Sequence, residues 1–215
     1  MAAFPPQSQF PATLDVDYPD RELNRATTAF RPFMVIPIGI ILMLVSGAAG
    51  AEKGAHGHGN GLLWSAGGVL FSATALMIAF RQKYPRWWFD WNLALVRFQT
   101  RVAAYVALLR DEYPSTDEPQ AIHLDLTYPD VPRDLGRWMP FVKWFLAIPH
   151  YLALAVLSIA GVICVLVAWF AILFTGRYPR PYFDFVVGIM RWWLRVMAYA
   201  FLLTTDRYPP FTLRA

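Results

Sequence analysis

The sequence predicts an all-α integral membrane protein of two tandem repeats, each a transmembrane helical hairpin followed by an interfacial amphipathic helix on the cytoplasmic side. Three observations predict it. Of 215 residues, 57% are hydrophobic and only 16% charged, which is outside the range of soluble globular chains. The apolar residues gather in uninterrupted runs, and the same short motifs recur in the same order in both halves. Aromatics are abundant, with 9 Trp, 10 Tyr and 16 Phe, and many sit beside Arg and Pro at the ends of the runs, where interfacial belts form.

The first thirty residues carry Pro5, Pro6, Pro11, Asp15, Asp17 and Asp20. They lack the basic-then-apolar order of a cleaved signal peptide, so the N-terminus is expected to be retained and cytoplasmic. Leu14-Asp15-Val16-Asp17-Tyr18-Pro19-Asp20 then matches Leu124-Asp125-Leu126-Thr127-Tyr128-Pro129-Asp130, 110 positions on. Ile36-Pro37 matches Ile148-Pro149. Tyr84-Pro85-Arg86-Trp87-Trp88-Phe89-Asp90 matches Tyr178-Pro179-Arg180-Pro181-Tyr182-Phe183-Asp184 at a spacing of 94. The fall in spacing places about sixteen extra residues in the first copy, between its apolar runs. The polar, Pro-flanked stretch from Pro114 to Pro119 sets the boundary, giving a first module over 1–116 and a second over 117–215.

Within the first copy, Phe33 to Gly50 and Leu62 to Phe80 are uncharged runs of a length that crosses a hydrocarbon core. They read as two transmembrane helices around an extracytoplasmic Gly- and His-rich loop over 50–61. Lys53 is the one basic residue in that loop, so the positive-inside rule puts both termini in the cytoplasm. The second copy holds one unbroken run, Trp144 to Thr175. Two readings fit it: a tight hairpin turning near Ser158-Ile159-Ala160-Gly161, with Lys143 snorkelling to the interface, or one long tilted helix from Pro149 to Thr175. The hairpin is favoured because it keeps Arg133, Arg137, Arg177, Arg180, Arg191 and Arg195 on one side.

After each Tyr-Pro comes a helix of alternating character, Arg86 to Arg110 and Arg180 to Thr204. At 100° per residue, Asp90, Arg97, Arg101 and Tyr105 form one polar stripe, repeated by Asp184, Arg191, Arg195 and Tyr199. Such a stripe can meet lipid headgroups. Alternatively it faces protein, with Asp90 pairing an Arg of a neighbouring element and the copies interlocking about a pseudo-symmetry axis. Leu14 to Asp17, His123 to Leu126 and Phe211 to Leu213 alternate like strands, so a small cytoplasmic β element is expected.

The Ile148-Pro149-His150 turn, the Phe174-Thr175-Gly176-Arg177-Tyr178-Pro179 exit and the closing Thr205-Asp206-Arg207-Tyr208-Pro209-Pro210-Phe211 resemble the bacterial membrane family known as domain of unknown function 4389. The first copy is a divergent version. The resemblance implies a small multi-pass bacterial membrane protein and carries no functional residues.

Chemistry leaves few candidates. His56 and His58, with Glu52, offer donors for a divalent metal, but a tetrahedral site needs rigidly held ligands and the glycines work against that. A solvated loop is expected there, and no metal or cofactor. His150 has the placement of a proton relay or haem ligand, but is expected as a helix-terminal histidine satisfied by a backbone carbonyl. His123 has no obvious partner. The lone Cys164 lies in an apolar run. No nucleophile elbow, phosphate loop or His-Glu-x-x-His is present. The net charge of +4 is spread along run ends, which suits anionic lipid and not nucleic acid. These features predict a non-enzymatic accessory or scaffold subunit of a larger membrane assembly in the bacterial cytoplasmic membrane, with lipids and another membrane protein as partners. The alternative is a lipid or small-solute carrier or channel with an Arg-lined site between the repeats.

Overall fold

The computed structural model describes residues 10–19, 22–46, 72–115, 118 and 120–214. The expected loop over 50–61, with His56 and His58, lies outside the described residues. In chain order the elements are β1 (Ala12–Val16), α1 (Arg25–Ser46), α2 (Ser72–Arg81), α3 (Arg86–Val106), β2 (Ile122–Leu126), α4 (Val131–Asp134), α5 (Met139–Leu146), α6 (Ile148–Thr175) and α7 (Arg180–Ala200). The last turn of α2, Met77–Arg81, is π-helical.

The two expected strands exist and pair with each other. Alternation buries Ala12, Leu14 and Val16 of β1 and Leu124 and Leu126 of β2, and leaves Thr13, Asp15, His123 and Asp125 exposed. Pairing is antiparallel, Ala12 opposite Leu126, Leu14 opposite Leu124 and Val16 opposite Ile122. Leu14 and Leu124 open the two matching motifs, and the ladder is symmetric about that pair. The third alternating segment, Phe211 to Leu213, is not a strand. Its Phe211 ring stacks on His150, with centroids 4.0 Å apart.

The run from Trp144 to Thr175 contains no hairpin turn near Ser158 to Gly161, which corrects the favoured expectation. Ser158 to Gly161 lie inside α6, which runs unbroken for 28 residues. The one glycine there costs a helix only about 1 kcal/mol, whereas opening a turn in apolar surroundings would strand several backbone polar groups. Pro149 sits near the start, where its missing N–H is harmless. Gly176 closes the helix in the left-handed region (φ 73°), its N–H bonding Ile172 O at 2.7 Å. Among the described residues α6 is also the one helix long and apolar enough to cross a membrane.

The layers follow from the contacts. A narrow stripe of α6, Leu154, Gly161 and Ala168, is buried against α7, and a Cβ on Gly161 would stand 3.0 Å from Ile189 of that helix. The opposite face of α7 carries β1, and α3 carries β2. The main core lies between, built from the inward faces of both strands with Phe89, Val96, Phe183, Val187 and Leu194.

Candidate functional site

Along α3 and α7 the polar stripes meet protein. Arg191 donates from Nε to Leu14 O (2.8 Å) and from Nη2 to Asp15 Oδ1 (2.6 Å). Arg97 does the same to β2, with Nε on Leu124 O (2.9 Å) and Nη2 on Asp125 Oδ1 (2.7 Å). Each strand therefore docks on the helix of the other half of the chain. Beside these contacts Tyr18 Oη donates to Tyr178 O (2.5 Å), and Tyr128 Oη donates to Tyr84 O. Arg180 covers the Tyr18 ring and Arg86 the Tyr128 ring, each 4.8 Å from the centroid. A cation over a ring face is attracted by its quadrupole.

A second matched pair lies below. Lys143 of α5 is fully buried, bonded to Thr205 O (2.7 Å) and paired with Asp206 (2.6 Å), its ammonium 5.3 Å from the Tyr199 ring centroid. Burial pulls its pKa below the ordinary lysine value, against the pull of Asp206. In α1, Arg31 is buried in the same way. Its Nη1 donates to Tyr105 O (3.1 Å) and Arg110 O (3.0 Å), Nη2 pairs with Asp111, and the guanidinium lies 4.5 Å from the Tyr105 centroid. Lys143 thus does not snorkel; a carboxylate and a carbonyl from the C-terminal exit hold it inside.

The other expected site residues have mixed fates. Asp90 pairs with Arg86 of its own helix at 3.6 Å, both side chains exposed, and not with an Arg of a neighbouring element. Asp184 is exposed. Arg101 donates to Ser115 O (2.6 Å), and Arg195 to Arg214 O. Burial lowers the Arg195 pKa, helped by Arg191 nearby. Tyr105 and Tyr199 are buried under the two cations. Sequence reasoning missed Asp15 and Asp125, Tyr18 and Tyr128, Arg31 and Lys143, and Asp111 and Asp206. Four of these eight, Asp15, Asp125, Tyr18 and Tyr128, lie in the matched motifs, so the match carried a signal for them.

His150 is buried, and no backbone carbonyl meets it. Trp192 Nε1 donates to its Nδ1 (3.0 Å), which places the proton of the neutral ring on Nε2, and Nε2 is buried without a partner. The rings of Phe211 and Tyr208 pack against it. His123 does have a partner: its Nε2 lies 3.4 Å from Oδ2 of Asp17, the residue just past β1. Among the described residues no group of three or more His, Cys, Asp or Glu is placed to hold a metal ion. An apolar groove of about 620 Å³ runs between α5, α6 and α7, lined by Trp144, Ile148, Tyr151, Trp193 and Phe201 among others and by no Arg. The Tyr151 hydroxyl is buried there with no partner.

The model of the family described as Domain of unknown function (DUF4389) matches residues 137–212. That segment comprises α5, α6, α7 and the exit that supplies Asp206, Tyr208 and Phe211, and it is what the chain shares with the family. No curated protein and no solved structure matches the chain.

Proposed function

We propose that the chain is a non-enzymatic membrane module of two tandem copies locked together by exchanged arms, an accessory or scaffold subunit of a larger assembly in the bacterial cytoplasmic membrane. The observation that carries this reading is the doubling of contacts: Arg191 on Leu14 and Asp15 against Arg97 on Leu124 and Asp125. Side chains so placed serve cohesion, because every stripe arginine is spent on a carbonyl or carboxylate of the chain itself. In this reading the two apolar runs of the first copy enter the bilayer, both termini stay on the cytoplasmic side, and membrane lipids and a membrane-protein partner cover the exposed apolar helices. Capture of the full chain from native membranes in mild detergent, followed by quantitative mass spectrometry, is expected to yield a co-migrating protein in fixed ratio. Isolation of the chain alone under every mild condition would sink the scaffold role.

The groove between α5, α6 and α7 favours a second reading, a carrier for a lipid or small apolar solute. Its polar contact would be the Tyr151 hydroxyl and not an arginine. Lipid transfer between vesicles that is unchanged on adding the protein would exclude it.

A further inference from the structure

A helix of 28 residues is about 42 Å long at 1.5 Å per residue, and a hydrocarbon core is about 30 Å thick. α6 holds no charged residue, and only 17% of its most apolar window is buried. Leu152, Val156, Ile159, Ile163, Leu166 and Phe170 are all exposed and recur at steps of four and three, so they form one continuous stripe. It lies opposite the buried seam of Leu154, Gly161 and Ala168.

The rest of the molecule restricts how such a helix can meet lipid. Gly161, near the middle of α6, packs on Ile189 of α7. Two residues further on, Arg191 of the same helix grips β1 through Leu14 O and Asp15. The outward face of the sheet carries Asp15, Asp17, His123 and Asp125, all exposed. α6, α7 and sheet are thus stacked at the midpoint of α6. A bilayer-crossing α6 would bring its midpoint, and with it the acidic face of the sheet, to the depth where charged groups are most costly. Both ends of α6 are also tied to polar segments. Leu146 O, just before its start, accepts from Tyr208 Oη (3.2 Å), and Gly176 O, just past its end, accepts from Leu23 N (2.8 Å). Arg137, ahead of α5, and Arg177, just past the end of α6, are exposed, as phosphate-facing cations should be.

We infer that α6 does not cross the bilayer but lies along it within one leaflet, its exposed stripe among acyl chains and the two-stranded sheet in water. The inference rests on the membrane reading above and adds the orientation, with phospholipid as the partner of this face. The aromatic residues Trp138, just before α5, and Phe145 of α5, both strongly exposed, then sit at headgroup depth, where such rings are enriched.

The test uses the full chain with Cys164→Ser, reconstituted in vesicles of phosphatidylethanolamine and phosphatidylglycerol. Single cysteines replace Leu152, Ile163 and Phe174, which are 68%, 57% and 78% exposed, so that the labels leave the core intact. Nitroxide depth is read from the competing collisions of oxygen and a water-soluble nickel chelate. The three labels are expected at similar depths in one leaflet, and an impermeant thiol reagent is expected to reach cysteines at Arg137 and Arg177 from the same side. Depth that passes through the bilayer centre between Leu152 and Phe174, with the flanking cysteines reached from opposite sides, overturns the inference and leaves the membrane reading standing. Labels that all report water, on protein that floats free of the vesicles, overturn both.

Discussion

Tyr84 and Tyr178 hold matching places before α3 and α7, yet their hydroxyls differ. Tyr84 Oη donates to Leu202 O at 3.0 Å, whereas Tyr178 Oη is buried with no partner. Tyr84→Phe is expected to cost roughly 1–2 kcal/mol, since the hydroxyl also hydrogen-bonds the Thr74 side chain. Tyr178→Phe should be neutral or slightly stabilising, because it removes a hydroxyl that lost water and gained nothing; thermal melts in one detergent check both. Burial raises the pKa of both phenols above the ordinary value. A group raised in the folded state contributes its stability fully below the unfolded pKa, near 10, and loses it as pH climbs through the folded value. Their phenolate absorbance should therefore develop only at strongly alkaline pH, with unfolding. For the buried ammonium, Asp206→Asn strands Lys143 and is expected to cost roughly 3 kcal/mol, the low end for breaking a buried pair, since 23% of the Asp206 side chain remains exposed. Adding Lys143→Met should recover most of the loss in the same melts. The sequence told little about this cluster. Lys143 stands in an apolar run, and its carbonyl partner is 62 residues away, a distance at which spacing carries no information.

The two helix exits before the Tyr-Pro pairs use the same left-handed residue, Gly176 at φ 73° and Gln82 at φ 46°. Glycine takes that conformation freely and glutamine does not. Gln82→Gly is expected to stabilise the exit of α2 by about 0.5–1 kcal/mol, less whatever its exposed contact to Arg137 is worth. Gly176→Ala should cost about 1 kcal/mol, because its Cβ would also meet Glu22 Oε2 at 3.3 Å. Denaturant midpoints at constant slope check both signs. At this scale the sequence was informative where period decides: α3, α7 and both strands stand where alternation and the polar stripe put them. It misled for α6, where the favoured hairpin rested on arginine placement. Local propensity contains no stop signal at Ser158 to Gly161, and of the arginines that argued for a turn Arg191 is bound to β1 and Arg195 to Arg214 O. Asp90 shows the converse limit: the stripe was correctly placed on a helix, but a partner one turn away at Arg86 competes successfully with any distant arginine.

Over the whole chain, the pairing of Leu14 with Leu124 puts the first residues of two matching motifs at one contact. Leu14→Ala and Leu124→Ala are expected to cost similar amounts, roughly 2–4 kcal/mol each. Their double variant should fall short of the sum, because the two side chains share one environment. Two unequal and additive losses would show that the halves are not equivalent. The ion pairs around that contact matter less: Asp15 and Asp125 are 69% and 79% exposed at the side chain, so exchange for alanine should cost under about 1 kcal/mol. The crossing of the two arms also has a bearing on genetics. Because β1 roofs α7, a lesion in β1 strips cover from the distal half, 176 and 177 positions away in the chain, and leaves α3 with its own cover from β2. Deletion of β1 should therefore produce defects that map, by protease sensitivity, to α7.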